Sequence, residues 1–440
     1  MAKEHICAGF CRMDITPHLG IRLSGYYTAR IADGMYDPLY VNAVAFDDGV
    51  HKSVILVCDL VGVFGPAAYT WSVEIAEKVG IPPEALFFTH THTHTGPVVT
   101  TNREPGDPAY DAWLQRRLCD AATLALADCK PVTAILGAEG MTEGLTHVRR
   151  YLMKNGTYKT NPPYEDPNIV RPACEADESF RLVRILREGG HEIALVNFQC
   201  HPDMIGATKI SADYPGYFRS KLEAERPGVK SVFINGAEGQ LVPTDRRYPR
   251  KYFPGSPASA KQYGETLADF VLPAFEKAAP IAEGSVHFGQ NTYVATTKWD
   301  PARVEEVNHI LQLHDAGRDD EIQPAWLAKE LVAEAYKLKR LEAQQLKHVS
   351  MVASAIAVGN LAFIGFPGEP FCEIGKALRE ASPYPMTFIC CQTNGHNSYF
   401  PTAQSYDEDG YEPRNNQFVK GTGEEFAAKC LELLWQLRKE

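Results

Sequence analysis

Three histidines stand at every second position in the segment Phe88-Thr-His-Thr-His-Thr-His-Thr-Gly-Pro97, namely His90, His92 and His94. Alternate residues of an extended backbone face one side, so this spacing can present up to three imidazoles together at a strand end. Neutral imidazole is the commonest protein ligand for zinc and related ions. The competing explanation is an exposed polar strand end, because a metal site needs donors from elsewhere in the chain. Such donors exist. His201 follows the apolar run Glu192-Ile-Ala-Leu-Val-Asn-Phe-Gln-Cys200, Glu369 follows Leu361-Ala-Phe-Ile-Gly-Phe366, and Tyr399 lies beyond the apolar run that begins at Met386. Two histidines and a carboxylate make a common catalytic zinc set that leaves a position for water.

The elements that must carry these residues read as α/β. A strand over 53 to 60, a helix over 66 to 79 and a strand over 85 to 90 imply a parallel crossover that delivers the histidine loop. In sheets of this kind the loops leaving the strand carboxyl ends open on a common cleft. Asp59 ends a strongly apolar strand, which is costly unless its carboxylate is paired or coordinated. Asp47-Asp-Gly49 and Gly189-Gly190 read as turns between strands. Helices are expected over about 108 to 127, 259 to 277 and 423 to 438, and another starts with Asp213 near its cap. The stretch Thr146 to Asp177 lacks periodicity and reads as a long functional loop, opening on His147-Val-Arg-Arg150. Residues 301 to 348 read as a charged helical hairpin with Trp326, Leu327, Leu331, Ala335 and Leu338 in one stripe, packed outside the sheet or serving as a lid or dimer contact. The expected architecture is a mixed, largely parallel sheet flanked by helices. It forms one domain over 1–440, with the 301–348 hairpin inserted in it.

With 440 residues, 45% hydrophobic and 22% charged, the chain has the composition of a globular protein able to bury a substantial core. A net charge of -11 argues against nucleic acid or an anionic membrane as partner. The first residues lack the apolar core of a secretory signal, and eleven cysteines at irregular spacing do not form a disulfide framework. These features imply a cytoplasmic protein whose partner is a small-molecule substrate, with neither nucleic acid nor membrane engaged and with assembly into a homo-oligomer left open.

The segment Thr91-His-Thr-His-Thr-Gly-Pro97 resembles the Thr-His-Thr-His-Ser-Gly-Pro signature of the neutral, non-lysosomal ceramidases. The resemblance continues in order through Asp14-Ile-Thr-Pro17, Arg149, Phe198-Gln-Cys-His-Pro202, Ser211-Ala-Asp213, Phe366-Pro-Gly-Glu369 and a pair of tyrosines, and so covers nearly the whole chain. It implies one Zn2+ ion with His92, His201, Glu369 and Tyr399 as ligands. It further implies that His94, Arg149 and Tyr411 are catalytic, meeting the substrate carbonyl or its oxyanion or passing protons. His90, which the family pattern does not use, joins Asp59 and Asp213 as candidates for supporting the ligands. Two departures stand out: Val242 occupies the position of the ceramidase active-site serine, and Gln240 replaces an aspartate. A C-terminal immunoglobulin-like domain is also not expected here. The resulting expectation is a zinc-dependent hydrolase acting on an amide bond of a soluble small molecule through metal-activated water. The alternatives are the same site acting on an ester, lactone or glycosidic bond by hydrolysis or elimination, or a catalytically silent binding protein.

Overall fold

The computed structural model describes residues 6–439 except 27, 65, 100–105, 254, 282 and 283. Two sheets pack face to face. In the larger, Val229–Asn235, Glu192–Phe198, Ser179–Arg187, Lys130–Met141, Cys7–Asp14, Tyr40–Asp47, Lys52–Cys58 and Leu86–His90 lie side by side in that order. The smaller runs Val286–Thr296, His348–Val358, Leu361–Gly365, Met386–Cys390. Val44, Phe46, Ile55, Val57 and Phe87 of the first meet Ile356, Leu361, Phe363 and Phe388 of the second in one buried core. Helices Pro66–Val79 and Pro108–Ala127 contribute to a second core with the outer face of the larger sheet, and Asp213–Glu225 and Pro257–Val271 to a third. Helices Cys372–Ala381 and Thr422–Leu437 cover the smaller sheet. The layers therefore run helix, sheet, sheet, helix.

The mixed sheet flanked by helices is as the sequence implies, but the expected predominance of parallel pairing is corrected. Short connections such as Asp47 to Lys52, Arg187 to Glu192 and Val358 to Leu361 permit only antiparallel neighbours, and most pairs in both sheets run that way. Among the described residues, parallel pairing within the two sheets is confined to Lys52–Cys58 with Leu86–His90, Glu192–Phe198 with Val229–Asn235, and Leu361–Gly365 with Met386–Cys390. Each of these pairs is bridged by a helix: Pro66–Val79, Asp213–Glu225 or Cys372–Ala381. The sequence-predicted site residues His92, His94, His201, Glu369 and Tyr399 all leave the carboxyl ends of these three crossover units.

Two other segments differ from expectation in detail. The stretch from 146 to 177 is not a bare loop: Arg150–Met153 pairs with Tyr158–Thr160 and Ile169–Pro172 in a small sheet, and His147–Val148 pairs with Leu241–Val242. Between 301 and 348 the chain forms helices Val304–Asp315 and Ala328–Ala343 around a small core of their own, including Val307, Ile310, Leu313, Leu331, Ala335 and Leu338. Full burial of a leucine contributes about 1.5–3 kcal/mol, so this core is a substantial local anchor. Trp326 departs from the expected stripe and is 48% exposed. Among the described residues no helix is long and apolar enough to cross a membrane.

Candidate active site

The strand that carries the histidine motif pairs with its neighbour only as far as Cys58 and His90. The next two backbone N–H groups still hold to that neighbour and its continuation, Thr91 donating to the Cys58 carbonyl and His92 to the Leu60 carbonyl, each at 2.9 Å. His92 itself sits at φ 73°, a left-handed conformation that is uncommon for a residue with a side chain and is found most often where function demands it. The three histidines therefore do not share one face of an extended strand, contrary to the spacing argument. His90 points into the protein, where its ring packs 4.5 Å from Phe88 and Nδ1 lies 2.7 Å from the Gln392 carbonyl. His92 and His94 face a cavity instead.

Backbone carbonyls set the two buried imidazoles. His92 Nδ1 lies 2.6 Å from the Val61 carbonyl, and His201 Nδ1 lies 2.9 Å from that of Glu238. A ring nitrogen facing a carbonyl carries the proton, so the Nε2 lone pair of each ring is left for a ligand. His201 Nε2 approaches Glu369 Oε2 to 3.2 Å, His92 Nε2 approaches it to 3.8 Å, and His94 Nε2 is 3.3 Å from His92 Nε2. His92, His94 and His201 each offer a donor atom within 4.8 Å of the others, and so do His92, Glu369 and His396.

Protonation states follow from burial and neighbours. Burial lowers the His92 pKa to about 4, although Glu369 pulls it the other way, and burial lowers that of His94 well below the ordinary histidine value. Burial alone would raise the Glu369 carboxyl, but His92 and His201 beside it hold it below the ordinary carboxylate range. Neutral imidazoles and an ionised carboxylate are the forms that bind a divalent cation. Two of these donor atoms, His201 Nε2 and Glu369 Oε2, are buried with no hydrogen-bond partner, an expensive arrangement that a cation would relieve. The residues present thus fit a zinc-like ion.

Glu369 reaches this place because the two-residue strand Glu369–Pro370 pairs in parallel with Tyr399–Phe400, in a register that sets Glu369 beside Tyr399. The Tyr399 ring lies 5.8 Å from that of Tyr411. The Arg149 guanidinium carbon stands 5.3 Å from the Tyr399 ring and 5.9 Å from the Tyr411 ring. Arg149 is fixed by donating to Glu412 Oε1 at 2.6 Å and to the Gly239 carbonyl at 2.8 Å. Burial opposes its charge, but the neighbouring tyrosines and Glu412 outweigh burial and raise its pKa.

The remaining expected residues lie behind this group. Asp59 accepts both terminal nitrogens of Arg219, at 2.8 and 2.6 Å, and the hydroxyl of Thr91 at 3.3 Å, so it holds the start of the histidine loop. Asp213 accepts the N–H groups of Met204 and Ile205 at 2.9 and 3.0 Å and fixes the turn after His201. Gln240 is held between Glu373, to which Nε2 donates, and the Cys372 N–H, which Oε1 accepts at 3.0 Å. Neither Gln240 nor Val242 lines the cavity.

That cavity is a half-open pocket of about 230 Å³. Besides His92, His94, Glu369, Tyr399 and Tyr411 it is lined by residues that the sequence did not single out: Tyr26, His396, Lys337 and Arg340 among them. His396 follows an apolar strand as the other site residues do, and that signal could have found it. Asp203, two residues past His201, stands with Oδ1 3.6 Å from His94 Nδ1 and accepts the Tyr26 hydroxyl. Gly25, at φ +100°, packs so closely on His94 that a Cβ there would lie 2.7 Å from the ring's Cγ.

No family model and no curated protein sequence matches the chain. Solved structures do. A crystal structure described as neutral ceramidase from Pseudomonas aeruginosa superposes with a TM-score of 0.76 at 14% identity, over 99% of this chain and 75% of that one. A second, described as ceramidase complexed with C2, gives a TM-score of 0.71 at 16% identity with the same coverage. The chain therefore has a ceramidase-like fold.

Proposed function

We propose that this protein is a metal-dependent amide hydrolase, with His92, His201, Glu369 and Tyr399 holding one zinc ion at the floor of the cavity. The observation that carries this reading is the meeting of His201 Nε2 and Glu369 Oε2, buried and unpartnered, with His92 Nε2 beside them. The ceramidase-like fold supports amide chemistry. A bound divalent ion supplies Lewis-acid polarisation of the scissile carbonyl and activates water for attack.

The chain's own groups do the rest. The carbonyls of Val61 and Glu238 fix the imidazole tautomers, and Glu369 provides the negative charge that offsets the cation. The Tyr411 and His94 side chains line the cavity, and the Tyr411 hydroxyl donates to the oxygen that gains charge as the carbonyl becomes tetrahedral. Arg149, charged and buried behind both tyrosines, favours negative charge on that side. His94 takes the proton released by the attacking water and returns it to the departing amine, with Asp203 Oδ1 3.6 Å from its Nδ1. The cavity is small and its walls are polar and apolar in about equal measure, which favours a short substrate over a long lipid.

The test is turnover of a panel of short N-acyl amines, esters, lactones and glycosides by protein of measured metal content, before and after chelation and with zinc restored. Amide cleavage that vanishes with the metal and returns with zinc is the expected result. Preference for another bond moves the chemistry to that bond. Metal-loaded protein that turns over nothing sinks the enzymatic reading.

A further inference from the structure

We infer that Cys174, Cys372 and Glu373 form a second metal site, rich in thiolate and suited to zinc, which ties the small sheet that starts at Arg150 to the helix that follows Glu369. The inference does not depend on the amidase reading. One ligand atom from each of the three residues lies within 4.8 Å of those of the other two. None of the three lines the cavity that His92, His94 and Glu369 line. The chain brings them together from two directions. Cys174 comes just after the strand Ile169–Pro172, whereas Cys372 and Glu373 open the helix Cys372–Ala381 directly beyond the short strand Glu369–Pro370. Cys372 is 1% exposed, but Cys174 and Glu373 are half-buried, so an ion can reach the group from the protein surface.

The Gln240 amide marks where the ion belongs. Its Nε2 donates to Glu373 and stands 3.5 Å from Cys372 Sγ and 3.8 Å from Cys174 Sγ, so one amino group is turned to all three donor atoms. It has two protons to offer to three acceptors. Which end of the amide faces the group is fixed, because Oε1 accepts the Cys372 N–H at 3.0 Å. The Cys372 thiol in turn lies 3.5 Å from Glu373 Oε2. Among the described residues Glu373 forms no ion pair, so a half-buried carboxylate faces two thiols and an amide, a group short of positive charge. The Cys174 thiol beside it, burial and Glu373 all hold the Cys372 thiol above the ordinary cysteine range. An entering cation therefore releases protons as it binds. Two thiolates argue against magnesium or calcium, and a carboxylate argues against copper(I), which leaves a zinc-like ion with a fourth position for water at the half-buried edge.

Cobalt(II) distinguishes this site from the candidate active site, whose proposed donors include no sulfur. The full chain is stripped with a chelator, reduced with a phosphine and titrated without oxygen, first with Co2+ and then with Zn2+. The expected result is a thiolate-to-cobalt charge-transfer band in the near ultraviolet that zinc bleaches. C174S loses the band, and its zinc affinity at this site falls by more than the ~10- to 100-fold that loss of a group supporting a ligand costs. E373Q weakens binding but keeps the band. E369Q, which removes a donor from the other site, also keeps it, so failure of one site is not read as failure of the other. Wild-type protein without the band overturns the inference, as does a band that survives in both C174S and C372S. A cysteine pair that closes into a disulfide, and gives no band once reduced, overturns it in favour of a redox bond. If the serine variants do not fold, X-ray absorption of the zinc-loaded wild type decides. Sulfur neighbours at about 2.3 Å support the site, and a shell of nitrogen and oxygen alone overturns it.

Discussion

The histidine side of the cavity is fastened by backbone, whereas the helical side is fastened by side chains. His92 and His201 hang from strand ends and are oriented by carbonyls at 2.6 and 2.9 Å, and Glu369 is placed by the pairing of two short strands. Helix Ala328–Ala343 belongs to neither large sheet. It has its own small core and reaches the site through Lys337 on Ser398 and Asn415 and through Glu334 on Arg414. The difference teaches that the candidate metal donors are built to tolerate little movement, while the wall that faces them can be altered one contact at a time.

Three substitutions sharpen that contrast. Glu369→Gln keeps the shape of the floor but removes its charge. It should release the stoichiometric divalent ion, read by elemental analysis, and lower kcat/KM by more than the ~10²- to 10³-fold that loss of one oxyanion donor costs. Retention of both metal and activity would show that Glu369 is not a ligand. Arg219→Met strands the buried Asp59 carboxylate behind the histidine loop and should cost about 3–5 kcal/mol in a denaturant titration. A loss under about 1 kcal/mol, the range of an exposed pair, would mean that the loop does not depend on this ion pair. Lys337→Met acts on the wall alone. It should cost about 1–3 kcal/mol with metal content unchanged, and loss of the ion would erase the distinction between floor and wall.

Much of the floor was legible in the sequence because each of its residues stands just past an apolar strand. The crossover over 53 to 90 was readable for the same reason: its helix needs a length that only a parallel return accommodates, and Pro66–Val79 lies where the periodicity put it. The alternation of His90, His92 and His94 misled, because regular spacing carries no record of the left-handed turn at His92. The balance of parallel and antiparallel pairing was misjudged because strand ends identify a cleft without counting the hairpins elsewhere in the sheet. Lys337 and Arg340 were invisible as cavity residues. Their spacing marks a helix face, but what that face meets depends on contacts made far along the chain, at Ser398 and Asn415.

The contact between Gly25 and His94 leaves no space between them. Since only a hydrogen fits beneath that imidazole, the orientation of the His94 ring is set by an atom that is missing from a distant loop. A side chain at position 25 would have to displace that ring or the turn beneath it. A residue with no side chain thereby fixes where an imidazole of the candidate site can stand.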